Sequence, residues 1–231
     1  MKTVHREFKD SLYDQFARVA KAVANPHRLE LIDLLAQGER RVDDLARESG
    51  LSIANASQHL QTLRQGGLVV SRRDGTAIFY RLADEQVVRL WQAIRAVGEA
   101  RLAELDVLTR MYLHDRAELD AIDATTLRRR IEDGDVVVLD VRPVQEYRSA
   151  HIAGARSIPI TELANRLQEV PCDLEVVAYC RGPYCLFSDE AVVLLRERGY
   201  QARRLDVGLP DWQLAGLPIE TSNSARERSI S

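Results

Sequence analysis

The chain of 231 residues carries a net charge of −3, with 45% hydrophobic and 29% charged residues. That balance is ordinary for soluble globular protein and excludes wholesale disorder, and the length suits one large or two small domains. The first residues contain no apolar leader and no apolar stretch is long enough to cross a bilayer, so a cytoplasmic protein with no membrane partner is expected.

Taken in chain order, Phe8, Leu12, Phe16 and Val19 recur at helical steps and predict an amphipathic first helix. "NPHRLELIDLLAQG" starts a second helix at Pro26 and stops it at Gly38. "RVDDLARESG" is a short helix closed by Gly50, and "LSIANASQHLQTLRQGG" is another, with Ser52 as its N-cap. Two β-rich runs around Arg-Asp-Gly in "LVVSRRDGTAIFYRL" predict a hairpin. Residues 84–112 read as one long helix, with Trp91, Ile94, Val97, Leu102, Leu105 and Leu108 along one face. A helix that outruns its own domain needs a partner for that stripe, and a second copy of the chain is the simplest one.

The pattern changes after the polar segment "HDRAELD". "DVVVLDV" and "LEVVAY" are short apolar runs of the kind found in buried parallel strands, and they alternate with helical segments such as "FSDEAVVLLRERG". The expected fold class is therefore two domains. The N-terminal one is mainly α, a winged helix-turn-helix; the C-terminal one is α/β with a central parallel sheet. The boundaries drawn are a first domain over 1–113, a linker over 114–121, a second domain over 122–220 and a flexible tail over 221–231. Residues 1–113 hold 17 Lys and Arg against 15 Asp and Glu, a net of +2, whereas the remainder nets −5. Nucleic-acid binding is thus allowed in the first half through a local basic patch and disfavoured in the second.

A helix, a tight turn, a second helix and a basic hairpin form the order in which a recognition helix enters the major groove while the wing touches the backbone. On that helix Ser52, Asn55, Ser57, Gln58, His59 and Thr62 are short polar side chains suited to base edges. Arg64, Arg72 and Arg73 suit phosphates. The competing reading is a helical protein-interaction module with a solvated polar face. The stretch from "NPHRL" through "SQHLQTLRQGGLV" to "GTAIFYRL" resembles the ArsR-type winged-helix repressors over residues 16–112. That resemblance implies a homodimer on operator DNA, released by a metal, thiol or sulfur signal, with the first and last helices of the domain as the dimer interface. The sequence departs from the family at "RRVDDL", where Arg41 and Asp43 stand at positions many members give to thiolates. Soft metals need such ligands, so no metal and no cofactor are expected.

All three cysteines, Cys172, Cys180 and Cys185, lie in the second half. In "YCRGPYC" Cys180 directly follows an apolar strand and precedes a helix. Loop amides and the helix N-terminus there favour a thiolate, the nucleophilic form. Arg181 adds positive charge, and Gly182 and Pro183 suit a tight, unusual backbone path. The alternative is a small buried thiol at a strand end. "DVR", Glu146-Tyr147, "HIAGA" and "GLPDWQLAGLPIE" around this loop resemble a rhodanese domain over residues 122–220. By that resemblance Cys180 takes a sulfane sulfur from a donor such as thiosulfate or polysulfide and carries it as a persulfide. The loop Cys180, Arg181, Gly182, Pro183, Tyr184, Cys185 is then the site, and Asp140, Arg142 and Glu146 hold its shape. Related phosphatases and arsenate reductases end a longer loop in an oxyanion-clamping arginine; Leu186 stands there and cannot donate. Cys185 either packs against the sheet or attacks the sulfur on Cys180. Three functions remain open at this point: a sulfur-responsive transcriptional regulator, a sulfurtransferase whose DNA-binding half serves localisation or dimerisation, or a DNA-binding protein whose rhodanese-like domain is catalytically silent and serves protein contacts.

Overall fold

Asn25 opens the second helix by accepting a hydrogen bond from the Arg28 amide at 3.2 Å, with Pro26 in the first turn. Such local signals account for most of the N-terminal elements in the computed structural model, which describes residues 2–113 and 119–221. The helices are α1 (Lys2–Val23), α2 (Pro26–Leu35), α3 (Val42–Glu48) and α4 (Ile53–Gln65). The turn between α3 and α4 passes through Gly50 at φ +65°, and the Leu51 amide donates back to Ala46 at 2.9 Å. Leu45 and Ala46 of α3 and Ala56, Leu60 and Leu63 of α4 are buried in one core with Leu31, Ile32, Leu34 and Leu35. Strands β2 (Val69–Asp74) and β3 (Ala77–Leu82) form the wing, paired antiparallel from Val69↔Leu82 to Asp74↔Ala77. A short strand that periodicity did not reveal, β1 (Arg40–Arg41), joins the other edge of β3. It is two residues long, too short for any alternation to register.

The long helix expected over 84–112 is two helices, α5 (Glu85–Arg101) and α6 (Ala103–Tyr112), separated at Leu102 with φ −108° and ψ 101°. Gly98, near the end of α5, lies close to Leu105 of α6: a Cβ there would stand 3.1 Å from Leu105 Cδ1. Trp91 anchors α5 by donating from Nε1 to Asp33 of α2 at 2.9 Å. Val97, Leu102, Val107, Leu108 and Met111 are exposed in the single chain, as are Phe8, Tyr13 and Phe16 of α1.

The chain divides into two compact units, residues 1–95 and 96–231, with the border inside α5. The expected linker over 114–121 and tail over 221–231 fall largely outside the described residues. In the second unit a five-stranded parallel sheet has the order β4-β9-β8-β5-β7. Its strands are β4 (Ala121–Ile122), β5 (Val136–Asp140), β7 (Arg156–Ser157), β8 (Glu175–Tyr179) and β9 (Ala202–Leu205). Strand β6 (His151–Ile152) pairs antiparallel with β10 (Ile219–Glu220) at the side. Successive side chains of a strand point to opposite faces. Val176, Ala178 and Cys180 accordingly enter a core with Ala191, Val192 and Leu195 of α10 (Phe187–Glu197). Val177 and Tyr179 enter another with Leu127 of α7 (Ala124–Asp133) and Trp212 of α11 (Leu209–Leu214). Both faces are therefore covered, which is why these strands read as continuous apolar runs. The remaining helices are α8 (Val144–Ser149) and α9 (Ile160–Leu163). Among the described residues no helix is long and apolar enough to cross a membrane.

Candidate functional site

The polar residues singled out on α4 separate by exposure. Asn55 and Gln58 are exposed, while Ser57, His59 and Thr62 are half-buried. Ser52 is occupied locally: its Oγ accepts from the Asn55 amide at 3.2 Å and caps the helix. Thr62 Oγ1 donates to the Gln58 carbonyl at 3.1 Å. His59 lies against His27 of α2, ring centroids 5.6 Å apart. Burial, Arg28 and His27 push its pKa below the ordinary imidazole value, so the ring is neutral at pH 7 and can act as donor and acceptor. Arg64 extends from the end of α4 toward Ser71 Oγ at 3.3 Å. On the wing the two arginines differ. Arg72 is held by Glu39 through Nε at 2.9 Å and lies 4.3 Å over the Phe79 ring, whereas Arg73 contacts the Gly75 carbonyl at 3.0 Å.

In the segment where the resemblance places thiolates, the exposed Arg41 is paired with Asp43 at 2.9 Å, and the neighbouring buried Arg40 is paired with Glu48 at 2.6 Å. Among the described residues, no group of three or more His, Cys, Asp and Glu side chains is placed to hold a metal ion.

In the second unit, strand β8 ends at Tyr179 and α10 begins at Phe187, so Cys180–Cys185 occupy the loop at the carboxyl edge of the sheet. This is the edge where open α/β sheets place their sites. Cys180 is 2% exposed. The Cys185 amide donates to the Gly182 carbonyl at 3.1 Å, a turn that brings the two cysteine Cα atoms to 6.3 Å, and their sulfurs are bonded as a disulfide. Cys172 is a free, exposed thiol. Gly182 does not take a positive φ. What the loop demands is room: a Cβ on Gly208, just before α11, would lie 2.0 Å from the Arg181 carbonyl oxygen and 2.6 Å from Gly182 Cα.

The charged residues around the loop form two pairs. Asp140 and Arg142 are both fully buried; Arg142 Nη2 donates to Asp140 Oδ2 at 2.6 Å and to the Ala150 carbonyl at 2.8 Å. Tyr179 adds a hydroxyl donated to Asp140 Oδ2 at 2.5 Å and receives the Ile152 amide at 3.1 Å. Burial, then the Asp140 charge, keep that hydroxyl protonated far above the ordinary phenol range. Glu146, 1% exposed, takes Arg181 Nε at 2.9 Å. The positive charge expected from Arg181 is thus matched by a buried carboxylate. Sequence reasoning missed Tyr179 and Gly208. The first looked like one more apolar strand residue; the second sat unremarked in "GLPDW", beside the tryptophan whose Nε1 donates to Pro218 at 2.9 Å.

Two family models match: "Bacterial regulatory protein, arsR family" over residues 25–71 and "Rhodanese-like domain" over 123–215. The HTH-type transcriptional regulator Rv0324 of Mycobacterium tuberculosis is 47% identical over 212 residues, covering 92% of this chain and 93% of that one. The solution structure of a homodimeric winged helix-turn-helix DNA-binding domain from Mycobacterium bovis, described as a possible ArsR-family regulator, is 49% identical. It covers 41% of this chain and 87% of that one, with a TM-score of 0.39. The crystal structure of a rhodanese-related protein from Thermoplasma volcanium is 28% identical, covering 43% of this chain and 96% of that one, with a TM-score of 0.40.

Proposed function

The chain belongs to the ArsR family of transcriptional regulators and carries a rhodanese-like domain behind its winged helix-turn-helix, and on that premise we propose that it is a cytoplasmic, sulfur-responsive regulator. It binds operator DNA as a homodimer through the exposed face of α4 and the wing. Its rhodanese-like domain takes sulfane sulfur, from thiosulfate or polysulfide, onto Cys180 as a persulfide. The reading is carried by one observation: both cysteines of the β8–α10 loop stand at the carboxyl edge of the sheet, while Arg41 and Asp43, at the places where the resemblance puts sensing thiolates, form an ion pair. Sensing by sulfur chemistry then falls to the second domain. Dimerisation is supported by the exposed apolar residues of α1, α5 and α6, which a single chain leaves in water. For the response to regulate, the reacted and unreacted loops must differ in DNA affinity; couplings of this kind are typically about 5- to 150-fold.

The test is a gel-shift titration on DNA from upstream of the protein's own gene, with reduced protein before and after polysulfide. The wild type should change affinity within that range and Cys180→Ser should not. Equal affinity of the wild type before and after treatment overturns the sensor reading.

A further inference from the structure

We propose that the Cys180–Cys185 loop is self-resolving: it reduces the sulfane sulfur it accepts to hydrogen sulfide and is left as a disulfide. This rests on the sulfur-uptake reading above and states what happens to the sulfur next. The observation is the bridge itself. The loop turns at the Gly182–Cys185 hydrogen bond, and the two Cα atoms end 6.3 Å apart with their sulfurs joined. That separation lies within the span disulfides use, roughly 4.4–6.8 Å. Cys185 also packs against the α10 side of the core, so it is held in place beside Cys180 rather than swinging in from solvent.

The chemistry follows from which sulfur is within reach. Reduced Cys180 attacks the donor's sulfane sulfur; the donor leaves as sulfite, for thiosulfate, or as a polysulfide one atom shorter. Cys180 Sγ now carries a terminal sulfur. The Cys185 thiolate attacks Cys180 Sγ, the Sγ–Sγ bond forms, and the bond from Cys180 Sγ to the terminal sulfur breaks. The terminal sulfur departs with the electron pair and takes up the proton lost by Cys185, leaving as hydrosulfide. Two thiols have given up two electrons, and the sulfane sulfur has gained them. A cellular dithiol or low-molecular-weight thiol returns the loop to its reduced form by ordinary exchange. Cys185 is already adjacent to Cys180, whereas an outside thiol must first be brought to it. Internal attack therefore outruns the intermolecular one. The lasting mark of an encounter with sulfane sulfur is then a closed loop rather than an added sulfur, and the bridged form cannot take up more until it is reduced.

The test uses full-length protein, reduced and freed of reductant, mixed with inorganic polysulfide in the presence and absence of a thiol-alkylating agent. Intact mass and released sulfide are the readouts. Wild type and Cys172→Ser should lose two hydrogens, show no alkylation at residues 180 and 185, and release about one sulfide per chain. Cys185→Ser should instead keep one extra sulfur on Cys180 and release sulfide at least about tenfold more slowly. A wild type that holds the extra sulfur while Cys185 stays alkylatable overturns the resolving step and leaves sulfur uptake standing. A disulfide formed without sulfide in solution overturns it too. If Cys185→Ser gains no sulfur and the wild type forms no bridge, sulfur uptake itself fails and this step falls with it.

Discussion

The α4 face with its wing and the β8–α10 loop use charged side chains in opposite ways. On the first, Arg64 and Arg73 are exposed and each makes a single polar contact among the described residues. Around the second, Asp140, Arg142 and Glu146 are sunk to 1% exposure or less, and Arg181 is drawn in after Glu146. Exposed pairs are screened and contribute roughly 0–1 kcal/mol each. A buried pair contributes little net, yet losing one partner strands the other in a medium that cannot solvate it. The lesson is that charge near a nucleophile is not automatically charge for the nucleophile. Here it builds the frame.

The sharpest way to break that comparison is Arg142→Ala. It leaves Asp140 buried with only the Tyr179 hydroxyl and the Arg142 amide for company. The expected loss is about 3–5 kcal/mol from the second unit. Urea unfolding can follow each unit separately, since the chain's two tryptophans fall one in each, Trp91 and Trp212. In a Trp91→Phe background the Trp212 transition should move to lower urea in Arg142→Ala. Arg73→Ala should leave Trp91 fluorescence unfolding within about 0.5 kcal/mol of the parent. A shift below about 1 kcal/mol for Arg142→Ala would mean the pair is not the frame described here.

Next in size is Gly208→Ala, a smaller change at a tighter place. Its methyl group would land 2.0 Å from the Arg181 carbonyl oxygen, with backbone on both sides and no flexible side chain to give way. Overpacking of this kind costs about 1–3 kcal/mol. The loop should also shift, so the rate at which reduced Cys180 accepts sulfur from polysulfide should fall with the stability. Unchanged uptake and unchanged unfolding together would contradict the close approach.

How much of this was legible in the sequence depended on how local the cause was. The helix starts at Asn25-Pro26 and Ser52, the hairpin and the apolar strands are set by neighbours within a turn or a strand, and they stand where the pattern put them. The break at Leu102 was not readable, because the stripe of Val97, Leu102 and Leu105 continues across it. In the site, Cys180 and its loop were visible from the strand-loop-helix order. The partners were not: Arg181 meets Glu146 across 35 residues and Tyr179 meets Asp140 across 39. Spacing within a motif says nothing of such distances. Cys185 had two readings; it packs on the core and is bonded to Cys180, which places it within reach for the second without testing that attack.

The smallest effect separates two arginines that the sequence treats alike. Each phosphate contact made by a basic side chain adds close to one unit to the slope of log affinity against log salt. Arg72 is already paired: the side-chain hydrogen bond it donates to Glu39 is the largest of the effects that raise its pKa, and Asp74 adds a second carboxylate at 3.3 Å. Moving Arg72 onto a phosphate would mean giving up those partners, so little is gained. Arg73 surrenders only a contact to the Gly75 carbonyl. Arg73→Ala should therefore lower the salt slope of operator binding by about one unit, and Arg72→Ala by clearly less. Glu39→Gln, by releasing Arg72, should raise the slope and make a subsequent Arg72→Ala cost as much as Arg73→Ala. Equal slopes for the two alanine variants in the wild-type background would show that Glu39 lets go on binding, and that the wing's charges are interchangeable after all.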